Sequence, residues 1–120
     1  MPNQSLALDR IFQALSDPTR RAVLQRLSAG SAAASDLSAP FEMALPSFMQ
    51  HLRLLESCGL VHSTKQGRVR TYRIVPGPLS AAEGWLGEQR SHWEQRLNRL
   101  DAHLDALHAS AQATKKEKKP

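Results

Sequence analysis

The stretch from Ala44 to Ile74, ALPSFMQHLRLLESCGLVHSTKQGRVRTYRI, decides the fold of this 120-residue chain. Phe48, Leu52 and Leu55 recur at the spacing of one buried helical stripe. The spacing predicts a helix that starts near Leu45, has Pro46 near its first position and ends at Gly59. Leu60 to Thr64 and Val69 to Ile74 read as short strands, with Lys65-Gln66-Gly67 as the turn between them. In the second strand Tyr72 and Ile74 share one face, and Thr71 and Arg73 share the other. Arg53, Lys65, Arg68, Arg70 and Arg73 stand against Glu56 alone, so the stretch carries a net +4. A basic helix followed by a basic hairpin is the pattern of a winged helix that grips duplex DNA.

Towards the N-terminus, Leu8, Ile11, Phe12 and Leu15 predict a helix over Ser5 to Leu15. Asp17-Pro18 then starts a second helix, because Asp17 can cap and Pro18 suits the first helical position. That helix is expected to run to about Ser28, to bury Ala22, Val23 and Leu27, and to close at Gly30. A short third helix over Ala33 to Ala39 turns Leu37 inward and ends at Pro40. Phe41 and Met43 read as apolar plugs in the turn that follows.

Towards the C-terminus, Val75-Pro76-Gly77-Pro78 reads as a linker that cannot be helical. A long helix is expected from Leu79 to about His108. On it, Leu86, Trp93, Leu97, Leu100, Leu104 and Leu107 form a heptad seam, which wants a partner helix. The expected organisation is therefore one folded domain over residues 1–110 and a disordered Lys-rich tail over 111–120, AQATKKEKKP.

The whole chain is +5, and the last ten residues supply +3 of that. The place of the charge in the body, between Ala44 and Ile74, is thus more telling than its sum. Cys58 is the one cysteine, so no intramolecular disulfide can form. It sits at a helix end with no cation adjoining it in sequence, and reads as a small apolar residue rather than a redox switch. No apolar run reaches the length of a membrane span, and the first residues lack the order of a signal peptide, so the cytoplasm is the expected location. No phosphate-cradling glycine loop occurs and no nucleophile is spaced to meet a base, so no enzyme is expected.

The segments ALSDPTRRAVLQRL, LPSFMQHLRLLESCGLV and GRVRTYRI, in that order and spacing, resemble the ArsR/SmtB family of bacterial transcriptional repressors over roughly Leu6 to Leu107. The resemblance implies a mainly α winged helix-turn-helix with five helices and a two-stranded wing, dimerising through its first and last helices. It implies that the fourth helix enters the major groove and that the wing rides on the adjacent backbone. It also adds Leu8, Ile11 and Phe12 of the first helix to the seam as dimer-interface residues.

On that basis Ser47, Gln50, His51 and Arg53 of the recognition helix, with Lys65, Arg68 and Arg70 of the wing, are the candidate DNA-binding residues. Gln can bond adenine in two places, Ser and Arg can bond bases or phosphates, and protruding cations suit phosphates. His51 could equally hydrogen-bond within the fold. Arg20 and Arg21, opening the second helix, are candidate phosphate contacts or plain surface residues. Leu45 and Met49 stand where polar residues are common in the family and could touch thymine methyls. Ala44 occupies the usual capping position of Ser.

No metal and no cofactor are expected. The third helix reads AAASDLSA, without the paired cysteines of the best-known metal sensors of the family. On the last helix, His103 and His108 lie about 140° apart around the axis and do not share a face. His92 and His103 lack the flanking ligands of the other family sites, and zinc normally takes four.

The expectation is a homodimeric repressor that binds an inverted-repeat operator in double-stranded DNA near its own gene; no motif identifies an inducer or shows that there is one. Two alternatives stand beside it: a metal-responsive repressor with ligands on the last helix, and a winged-helix module that docks proteins without reading DNA.

Overall fold

Residues 4–117 are described by a computed structural model, with side chains described from 6 to 113. Among them are five helices, α1 (Gln4–Leu15), α2 (Pro18–Leu27), α3 (Ala34–Ser38), α4 (Leu45–Ser57) and α5 (Pro76–Glu117), and three strands, β1 (Ala32–Ala33), β2 (Val61–Gln66) and β3 (Val69–Ile74). The chain divides into two units between Glu83 and Gly84.

Local chemistry sets the helix ends. Asp17 caps α2 by accepting the Arg20 backbone N–H at 3.0 Å, and Pro18 stands in the first turn, where a missing N–H costs nothing. Gly59 has φ +75°, a left-handed conformation that an L side chain resists. It closes α4 with two bonds, Gly59 N–H to the Glu56 carbonyl and Leu60 N–H to the Leu55 carbonyl, both 3.0 Å. This double cap aims Leu60 back at Leu55, and both are fully buried.

The core of the first unit is built from Val23, Leu37, Phe48, Leu52, Leu55, Leu60 and Val61, all under 2% exposed. Tyr72 joins them from β3, and Phe41 stacks on Phe48 with ring centroids 5.4 Å apart. Phe41 and Met43 are half-buried against this core, as plugs should be. On α2 the buried residues are Val23, Leu24 and Leu27, so Leu24 takes the place expected of Ala22.

The expected two-stranded wing is present as β2 and β3, and the sheet gains a third strand that was not expected. It has three strands in the order β1-β3-β2, all antiparallel. Two alanines, Ala32 and Ala33, pair with Tyr72 and Thr71. A two-residue strand shows no alternation, which is why the sequence reads through it. The hairpin turn is also tighter than expected. Lys65 and Gln66 pair with Arg70 and Val69, which leaves Gly67-Arg68 as a two-residue loop. Gly67 has φ +62° and among the described residues no non-glycine, Arg68 included, has positive φ, the signature of a type II′ turn with glycine in first place.

The expected linker Val75–Pro78 is corrected as well. Pro76, Gly77 and Pro78 form the first turn of α5. First-turn N–H groups have no partner within a helix, so two prolines remove nothing there. The helix also runs past His108 to Glu117, where a disordered tail was expected from residue 111. Ala109, Ala111 and Ala113 favour helix and no Gly or Pro interrupts before Pro120. Residues 118–120 of that tail lie outside the described residues.

Beyond Gly84, α5 shows the heptad row on its surface. Leu86, Trp93, Leu97, Leu100, Leu104 and Leu107 are each more than half exposed. No helix is long and apolar enough to cross a membrane among the described residues.

Candidate nucleic-acid interface

Helix α4 has two unlike faces. Phe48, Leu52 and Leu55 are completely buried, and their burial turns Ser47, Gln50 and Arg53 outward, where all three are exposed. They stand three residues apart, about one turn each, and so form a polar strip along the helix. No side chain caps the start of α4, because Ala44 stands there with none to offer. Its first-turn N–H groups and the positive end of its dipole are left to solvent or to an anion.

The wing rises from β2 and β3. Lys65 and Arg68 are exposed, Arg68 in the turn itself. Arg70 is different. It is half-buried and donates from Nη1 to Ser63 Oγ at 2.9 Å. Ser63 in turn donates its hydroxyl and its backbone N–H to Glu56 Oε2, at 2.5 and 2.9 Å. The one acid of the basic stretch is thereby tied into the base of the hairpin, joining α4 to β2. Sequence spacing gives no sign of this, since Glu56 and Ser63 lie on different elements. Tyr72 sits beside this group. Burial pushes its hydroxyl pKa up, and the Glu56 charge adds to the rise against opposing Arg70 and Arg53.

Between α3, the start of α4 and the wing lies an open groove of about 480 Å³. Leu45, Met49 and Val69 supply apolar surface, Ser35 a hydroxyl, and Lys65 and Arg68 the cationic side. Leu45 and Val69 are 58% and 53% exposed, so the apolar surface is accessible.

Arg20 and Arg21 are engaged inside the chain. Arg20 donates from Nε to the Ala14 carbonyl at 2.8 Å and from Nη2 to the Gln13 carbonyl at 3.1 Å. Arg21 donates from Nη1 to the Leu15 carbonyl at 2.8 Å. These are the last carbonyls of α1, which has no glycine cap, and the arginines satisfy them instead. The third nitrogen of Arg20, Nη1, lies 2.9 Å from His51 Nδ1. His51 is half-buried, with Asp17 Oδ2 3.8 Å from the same nitrogen. Burial alone would raise the Asp17 pKa. The Arg20 N–H bond, the charge of His51 in acid and that of Arg20 outweigh it and hold the carboxyl below its ordinary value.

Of the expected interface residues on α1, Ile11 is buried in the chain's own core, and Leu8 and Phe12 are half-buried against it. The Cys58 thiol donates to the Arg10 carbonyl at 3.6 Å. Among the described residues, no three or more His, Cys, Asp or Glu side chains gather as a metal site would need. His92 and His103 are exposed on α5.

A helix-turn-helix domain family matches residues 15–64, the span from the end of α1 to the middle of β2. The crystal structure of an ArsR family transcriptional regulator is 55% identical, covering 78% of this chain and 97% of that one, with a TM-score of 0.74. The transcriptional repressor SdpR of Bacillus subtilis is 29% identical over 79 residues, 66% of this chain and 88% of that protein. The solution structure of a homodimeric winged helix-turn-helix DNA-binding domain from Mycobacterium bovis is 26% identical, covers 74% of this chain and 81% of that one, and has a TM-score of 0.56.

Proposed function

This chain belongs to the ArsR family of transcriptional regulators, which are not enzymes, and from that premise we propose that it is a homodimeric repressor of an inverted-repeat operator near its own gene. The observation that carries the proposal is the polar strip of Ser47, Gln50 and Arg53 standing free on α4 while Lys65 and Arg68 stand free on the wing. Gln50 reads a base edge in the major groove, where its amide can meet adenine in two places. Lys65 and Arg68 hold phosphates, which fix register without reading sequence. Arg70, bound to Ser63, has donors left over and contributes charge from the base of the wing. The groove between α4 and the wing suits a sugar–phosphate strand, with apolar surface for deoxyribose and cations for phosphate.

The dimer forms through the α5 row from Leu86 to Leu107, with Leu8 and Phe12 of α1 adding to it. A two-fold axis then requires two half-sites about one helical turn apart. Occupying them obstructs transcription in the bacterial cytoplasm, as a repressor must. The homodimeric relative and the repressor relative both support this reading.

The test is a mobility shift on the DNA upstream of the chain's own gene, against random duplex, over a salt series. The expected result is preference for the upstream DNA and a steep loss of affinity with salt. Equal binding to both duplexes would mean that the chain does not read sequence.

A further inference from the structure

We propose that Arg20 and His51 are a positioning pair that sets the recognition helix α4 against the end of α1, with His51 acting inward through Nδ1 and not as a reader of bases. The inference rests on the DNA-binding reading above and gives one joint role to two residues that the sequence left open, His51 between DNA and the fold and Arg20 between phosphate and plain surface.

The geometry points to this assignment in three ways. First, Arg20 meets two elements at once. Its Nε and Nη2 hold the Ala14 and Gln13 carbonyls at the end of α1, and its Nη1 reaches His51 in the middle of α4. The guanidinium is a rigid planar fork, so fixing two of its nitrogens on α1 fixes the direction of the third. Lysine, a single point charge on a flexible stem, could not do the same.

Second, the contact gives the two ring nitrogens different roles. Arginine can only donate, so in this contact Nδ1 is the acceptor and Nε2 is the nitrogen left facing away from it. The Asp17 carboxylate at 3.8 Å is too far for a hydrogen bond to Nδ1. It serves the pair otherwise, by accepting the Arg20 backbone N–H at 3.0 Å and fixing where that side chain begins.

Third, His51 is the neighbour of Gln50 and follows Ser47 by four residues. A tie at this point governs how far the polar strip stands from α1. A shift of α4 there would move Gln50 relative to a base edge without unfolding anything. Sequence-specific contacts suffer from such a shift, and phosphate contacts by flexible cations tolerate it.

The two ring nitrogens make the test. Asn places its Oδ1 where His carries Nδ1, so it keeps the inward acceptor and loses the outer nitrogen. Gln reaches towards the Nε2 position instead. Affinities would be measured for the full chain on the segment it protects in its upstream DNA and on a scrambled duplex, well below the melting temperature of every variant. His51→Ala should lose roughly tenfold on the protected segment, the scale of one hydrogen bond to a charged group, and little on the scrambled one. His51→Asn should restore wild-type affinity within about twofold, well short of that one-bond tenfold. In an Arg20→Lys background, His51→Ala should have no further effect, because the two act through one contact.

Rescue by His51→Gln and not by His51→Asn would make His51 a DNA contact and overturn the pair. Wild-type behaviour of His51→Ala, equal losses on both duplexes, or additive losses in the Arg20→Lys background would overturn it too. A wild-type chain that protects no segment and shows no preference overturns the DNA-binding reading itself, and the pair with it.

Discussion

Helix α4 and the part of α5 beyond Gly84 carry apolar residues at nearly the same spacing, yet the two rows meet opposite surroundings. Phe48, Leu52 and Leu55 on α4 are 0% exposed, whereas the row from Leu86 to Leu107 on α5 is between 52% and 64% exposed. An apolar stripe demands cover, and periodicity does not say who provides it. The elements on either side of α4 fold back over it, from Phe41 before it to Leu60 and Val61 after it. From Gly84 onward the described residues form one helix, and its apolar row stays exposed. The first stripe therefore builds a core, and the second is in keeping with a second copy of the chain.

The sharpest way to separate the two rows is to cut each in turn. Phe48→Ala should destabilise the first unit by about 3–5 kcal/mol, the cost of emptying a fully packed aromatic site. Thermal unfolding would read this as a large drop in melting temperature. An unchanged melting temperature would mean that α4 is not the centre of the core.

Leu100→Glu should do the reverse. A charge buried in the row without a partner should weaken dimerisation by on the order of a hundredfold or more, about 3 kcal/mol, while leaving the helical signal of the core in place. Sedimentation over a concentration series would show monomer for the variant and dimer for the parent. A stable dimer of the variant would remove α5 from the interface.

The polar side of α4 admits a finer contrast with the wing. Gln50→Ala should cost about 1–3 kcal/mol on the operator and leave scrambled DNA nearly unaffected. Arg68→Ala should weaken both and flatten the salt slope by about one unit per contact in each half-site. Equal losses for Gln50→Ala on both duplexes, or altered sequence preference for Arg68→Ala, would end this division of labour.

The smallest effect is expected at the start of α2. The Asp17 pKa is lowered in the folded chain, so its contribution to stability is present above the ordinary carboxylate value and is lost as pH falls through the lower folded one. Melting curves from neutral pH downward should show part of the acid destabilisation vanish in Asp17→Asn. Since Asn caps helices about as well as Asp, that variant should stay close to the parent at neutral pH.

Much of this could be read from the chain before any fold was known. The stripe of α4, its closure at Gly59, the Asp17-Pro18 start of α2 and the second strand to Ile74 all depend on neighbours within a turn or two. Such signals are local, and the sequence displays them. The outward turn of Ser47, Gln50 and Arg53 follows from the stripe by helix geometry alone. The errors have equally definite causes. Pro76 and Pro78 break a helix interior but not its first turn, and which of the two they occupy depends on where the preceding strand stops. Strand β1 is held by β3 and not by its own residues, two alanines with no strand preference.

The arginines show where the boundary lies. The amino-acid sequence by itself determined that the basic charge gathers between Ala44 and Ile74, and that Arg20 and Arg21 open a helix. Only the tertiary structure decided which cations are free. Arg68 stands in a turn with solvent around it, while Arg70 is held by Ser63, and Arg20 and Arg21 are held by the carbonyls of α1. A formal charge belongs to a residue, but a hydrogen bond needs a partner at about 3 Å, and bringing residues 20 and 51 to that distance is the work of the whole fold.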